Sequence, residues 1–137
     1  MGDSPHTFLV ATSPEEIRAT FVRFRHRWTT GDDITHLLLG IKHLLEQFDS
    51  LEQSFLHSIG DSDTDTILPL SRFVSMLGSE FPKNSLLSDP ARGSACKRLH
   101  LYLRWMVRSD DVDPGPWKNI SPSLLVIPLD THMFRVA

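Results

Sequence analysis

Apolar positions recur along this chain at helical spacing, with polar residues and breakers between the runs. Ser13-Pro14-Glu15-Glu16 opens the first run. Ser13 can cap, Pro14 suits the first helical position, and the two acids meet the positive end of the helix dipole. Ile17, Phe21, Phe24 and Trp28 follow at steps of four, three and four. That stripe predicts one helix lasting until Thr29-Thr30-Gly31 breaks it. Asp32 or Asp33 begins the next helix. Its Ile34, Leu37, Leu38, Ile41, Leu44, Leu45 and Phe48 make a wide apolar face. Ser50 with Gln53 forms a candidate capping box for a short third helix carrying Leu51, Phe55, Leu56 and Ile59. A fourth helix is predicted from Thr66 to Ser79, with Pro69 tolerated in its first turn.

Residues 81–92 read as irregular, broken by Pro82 and Pro90. Ser94 is the expected cap of a fifth helix over 95–108. Residues 109–123 form a long loop containing Pro114, Gly115, Pro116 and Pro122, with Trp117 as its expected anchor. Residues 124–129 read as an extended approach to Asp130, which caps a last helix. The expectation is an all-α fold, a multi-helix orthogonal bundle in one domain over 1–137. Only seven residues follow Asp130, with no Gly or Pro stop signal. The chain is therefore expected to be a fragment of a longer one, truncated at both ends.

Composition narrows the function classes. With 137 residues and 40% hydrophobic content the chain can bury one core. Net charge is −3, so binding to nucleic acid would need a local basic face rather than a basic average. One cysteine, Cys96, excludes an intrachain disulfide and a four-cysteine zinc site. No carboxylate and histidine spacing suggests a metal, and no cofactor is expected. No apolar run approaches the roughly 18 residues of a membrane span, and the start lacks a secretion signal. A cytoplasmic monomer away from membranes is the expectation.

Two short strings carry the candidate chemistry: Gly93-Ser94-Ala95-Cys96-Lys97-Arg98 and Ile127-Pro128-Leu129-Asp130-Thr131-His132. Each sets a reactive group at a helix start. On a wheel of about 100° per residue, Lys97, His100, Arg104 and Arg108 share one side of the fifth helix. Leu99, Tyr102, Leu103 and Met106 share the other. The first side suits an anion such as a DNA phosphate, which would also meet free amides at the helix start. The plainer reading pairs those cations with Asp110, Asp111 and Asp113. The helix dipole, Arg98 and Arg104 all disfavour an ammonium at Lys97, which favours a nucleophilic amine there. Asp130, held by the amides of His132 or Met133, would stay ionised and could stabilise a developing cation.

The segment Asp130-Thr131-His132-Met133-Phe134-Arg135-Val136-Ala137, after Ile127-Pro128-Leu129, resembles the catalytic-aspartate segment of the helix-hairpin-helix DNA glycosylases, endonuclease III and its relatives. Lys97, four positions after Gly93, resembles the catalytic lysine of their bifunctional members. The family's hairpin string Leu-Pro-Gly-Val-Gly is replaced by Arg92-Gly93-Ser94-Ala95. The long separation of lysine and aspartate resembles that of the archaeal 8-oxoguanine glycosylase/lyase. More closely, residues 97–108 together with Pro128-Leu129-Asp130-Thr131-His132 are similar to an uncharacterised bacterial family of unknown function.

The glycosylase resemblance implies a base-excision N-glycosylase/AP lyase on DNA, with Lys97 and Asp130 catalytic. Gly93, Ser94, Arg98, Arg104, Arg108 and His132 would then face nucleic acid. The isolated fragment is expected to be inactive. The alternatives are a helical domain that binds nucleic acid without catalysis, or a protein-interaction module.

Overall fold

The computed structural model describes residues 4–78 and 86–126. It is mostly helical, with six α-helices and one two-stranded sheet among the described residues. The chain divides into two compact units, each assembled from two stretches: Met1–Ser54 with Val74–Ser88, and Phe55–Phe73 with Asp89–Ala137. No helix among the described residues is long and apolar enough to cross a membrane.

In the first unit, α1 (Pro5–Ala11) and α2 (Pro14–Phe21) both open on Ser-Pro. Ser4 Oγ accepts from the Thr7 amide at 3.1 Å. Ser13 Oγ accepts from the Glu16 amide at 3.3 Å while the Glu16 carboxylate accepts from the Ser13 amide at 3.1 Å, a reciprocal capping box. Apolar spacing does not mark α1, although the segment carries the same start signal. Two carbonyls of its last turn, on Leu9 and Val10, accept from Lys42 Nζ at 2.8 and 3.2 Å.

α2 ends earlier than its stripe predicts. Phe24 and Trp28 belong instead to a hairpin, β1 (Arg25–His26) against β2 (Thr29–Thr30), with Arg25 opposite Thr30 and His26 opposite Thr29. The reason lies at Gly31, the first residue of α3 (Gly31–Phe48). A Cβ there would stand 1.8 Å from the Phe21 carbonyl oxygen. The chain must return to within touching distance of the α2 terminus, and a continuing helix would carry it away. Thr30 then caps α3 in a second capping box with Asp33. Another close approach occurs at Gly40, where a Cβ would lie 2.1 Å from the Leu77 carbonyl oxygen. Among the described residues, Leu9, Ile17, Leu44, Val74 and Leu77 are the buried apolar side chains of this unit.

Two helices follow, α4 (Leu51–Ser58) and α5 (Ile67–Leu77), and the division between the units falls inside both. Ser50 Oγ accepts from the Gln53 amide at 3.1 Å, as the sequence suggests. Pro69 sits in the first turn of α5, where its missing N–H costs nothing. In the second unit α6 (Lys97–Val107) contributes Leu103 and Val107 to a core with Phe55, Leu70, Phe73, Trp117 and Ile120. The Trp117 ring lies 5.9 Å from that of Phe55 and 5.6 Å, edge to face, from that of Tyr102. It anchors the long loop, as expected. Burial of Tyr102 pushes its phenol up to about 12.

Candidate functional site

The candidate site is the start of α6 and the loop leading into it. Asp89 caps a 3-10 turn, Pro90–Arg92, by accepting from the Ala91 amide at 2.9 Å. It also accepts from Ser71 Oγ at 2.7 Å. The Ser71 hydroxyl, then the Ala91 amide and nearby Arg92, hold its carboxyl below the usual range against a smaller penalty from burial. Gly93 leaves that turn at φ +84°, with open space where a Cβ would be. Such a turn needs the left-handed region, which glycine enters without strain.

Ser94 is not the cap of α6. Its Oγ accepts from the Cys96 amide at 3.3 Å, and Cys96 itself occupies the cap at φ +46°, ψ +44°. The buried Cys96 side chain makes no capping hydrogen bond. The helix therefore opens without a side-chain acceptor and without an acidic residue in its first turn. Lys97 and Arg98, both exposed, are its first two residues. Positive charge stands where the dipole is already positive, an arrangement that favours an anionic ligand.

Further along α6 the faces differ from the wheel in one respect. His100 is buried, on the side of Cys96, Leu103 and Val107, and does not join the exposed cations. Its Nδ1 has no hydrogen-bond partner among the described residues. Burial lowers its pKa from the ordinary 6.5, and the charge of Asp65 opposes that shift.

Arg104 and Arg108 are half-exposed and already engaged. Arg104 Nε donates to Asp113 at 3.0 Å, Arg108 Nη2 donates to Asp110 at 3.0 Å, and Arg108 Nε lies 3.8 Å from Asp113. The Asp113 side chain is 1% exposed. The backbone amides of Asp113 and Val112, with the two arginines, hold the Asp110 carboxyl below the usual range. The loop is fastened to the end of α6 by its own amides: Gly115 donates to the Trp105 carbonyl at 2.9 Å and Trp117 to that of Met106 at 2.7 Å. Gly115 takes φ +55°, and a Cβ there would lie 2.4 Å from the Arg108 carbonyl oxygen.

Gly93, Ser94, Lys97 and Arg98 thus gather at one helix start, while Arg104 and Arg108 lie toward its other end with two carboxylates. Asp130 and His132 lie outside the described residues. The pairing of Arg104 and Arg108 with the acids just past the helix end, expected from the sequence, is made by Asp110 and Asp113, and Asp113 is the buried one. Among the described residues no group of three or more His, Cys, Asp or Glu side chains is placed to hold a metal.

These features define a mostly helical protein with a cationic, uncapped helix start. The chain belongs to the DUF2400 family, a protein family of unknown function, whose family model matches residues 1–137. No curated protein and no solved structure matches it.

Proposed function

We propose that this chain takes part in base excision on DNA, as an N-glycosylase/AP lyase of the helix-hairpin-helix type. The observation that supports this reading is the cationic start of α6, whose first two residues, Lys97 and Arg98, are both exposed. A phosphate can approach such a helix start, which brings a sugar within reach of the amine.

In this reading the damaged base is rotated out of the duplex. The Lys97 nitrogen attacks the sugar C1′ as the base departs with the bonding electron pair. The amine then loses its proton, the ring oxygen leaves C1′, and a Schiff base remains. Loss of a C2′ proton expels the 3′ phosphate, and water releases the lysine. Asp130 stabilises the cationic sugar, and Arg98 offers charge to phosphate. Borohydride reduction on lesion-bearing DNA tests the scheme with the intact protein. The expected result is a covalent adduct that disappears in Lys97→Ala. An adduct that survives the substitution, or none across a panel of lesions, rejects it.

The pairing of Arg104 and Arg108 with Asp113 and Asp110 favours a second reading. Those cations then serve the fold, and the domain binds a partner, nucleic acid or protein, with no covalent step. It predicts no trapped adduct at all.

A further inference from the structure

We propose that the hairpin between α2 and α3 is a docking surface for single-stranded nucleic acid, separate from the α6 site. Residues 22–28 read Val-Arg-Phe-Arg-His-Arg-Trp, and all seven are exposed. Trp28 is 76% exposed and Phe24 41%. The Trp28 ring in particular is a large apolar side chain that the fold leaves in solvent.

The charge around the rings is of one sign. Arg23, Arg25 and Arg27 alternate with Phe24, His26 and Trp28, and no acidic residue occurs between Glu16 and Asp32. Among the described residues no ion pair joins a carboxylate to these three arginines. Arg104 and Arg108, by contrast, are held by Asp113 and Asp110. A surface of unneutralised cations is complementary to a polyanion.

The tip adds a second sign of use. Arg27 and Trp28 are the two turn residues, and Arg27 takes φ +55°. Glycine is the usual occupant of that conformation, and an arginine there bears strain that glycine would avoid. A cation thus stands beside Trp28, the more exposed of the two rings. The base of the hairpin is firm, through the contact of Gly31 on Phe21 and the Thr30/Asp33 capping box.

Exposed rings next to unpaired arginines suit a single strand, which offers base faces to the rings and phosphates to the cations. A stacked duplex hides those faces. A lipid surface binds through buried apolar area, and Phe24, only 41% exposed, adds little to the Trp28 ring. The docking requires no chemistry at Lys97, so a failed borohydride trap leaves it standing, and its own failure leaves trapping untouched.

The test is fluorescence anisotropy of the intact protein with labelled oligothymidylate, alongside a duplex and phosphatidylserine vesicles. Trp28→Ala should weaken oligothymidylate binding about 5- to 100-fold, while Trp28→Phe retains most of it. The triple variant Arg23→Gln, Arg25→Gln, Arg27→Gln should flatten the salt dependence by about 2 units of log K per log salt. Unchanged circular dichroism in each variant shows that the fold is kept. Unaltered affinity in Trp28→Ala, an unaltered salt slope in the triple variant, or binding to vesicles but not to oligothymidylate overturns the proposal.

Discussion

Gly115 and Gly93 offer a paired experiment on what holds the loop against α6. Both have positive φ, +55° and +84°. Replacing either with alanine costs about 1–2 kcal/mol for the left-handed conformation alone. Their surroundings differ. A Cβ at Gly93 meets nothing within 4 Å, whereas one at Gly115 lies 2.4 Å from the Arg108 oxygen and 2.8 Å from the Ser109 Cβ. The nearest of these is backbone, so the loop must lift by about 1 Å to restore ordinary contact. Lifting it strains the Gly115 and Trp117 amides on the Trp105 and Met106 carbonyls, each bond worth about 1 kcal/mol. It also draws Asp113 from Arg104. Gly115→Ala should therefore cost about 3–4 kcal/mol against about 1–2 for Gly93→Ala. Hydrogen exchange of the α6 amides reads the local effect, and the difference of about 2 kcal/mol is about 30-fold in exchange rate. Equal effects, or a gentler one at Gly115, would show that the crowding at Arg108 does not govern the loop.

Two further outcomes follow from burial. Trp117→Ala removes the ring between Phe55 and Tyr102 and should destabilise the protein by about 3–5 kcal/mol in urea unfolding; a loss below about 1 kcal/mol would mean that the loop needs no anchor. His100 is kept neutral in the fold, mainly by burial, so the unfolded chain binds its proton first as pH falls. The stability it confers is complete above about pH 6.5 and is lost as pH falls from there through its lower folded value. The urea midpoint should drop over that window and drop less in His100→Gln; identical pH profiles would refute the assignment.

Much of the helical pattern was legible because its signals are local. The Ser13-Pro14 start, the Ser50 cap and the position of Pro69 each involve residues a turn apart. Phe24 and Trp28 misled for the same reason: they keep helical spacing, and nothing nearby shows that Gly31 must return to Phe21. The start of α6 was misplaced because Cys96 takes a left-handed conformation that spacing does not encode. His100 was misassigned by its polarity, although Cys96, His100, Leu103 and Val107 form a regular buried stripe once histidine is admitted to it. The exposed cations of the site were readable, as was the plainer pairing of Arg104 and Arg108 with the acids after the helix. Which acid is buried was not readable, because the Gly115 turn that brings Asp113 back to Arg104 is a tertiary feature.

The two-stretch build of each unit bears on how the chain is made. On the ribosome, Gly40 and Leu44 emerge well before Leu77, the residue whose backbone closes over Gly40. A nascent chain halted after Ser54 lacks Val74 and Leu77 from that core, so the N-terminal unit cannot be completed in order of synthesis. Its closure waits for translation through the first stretch of the other unit.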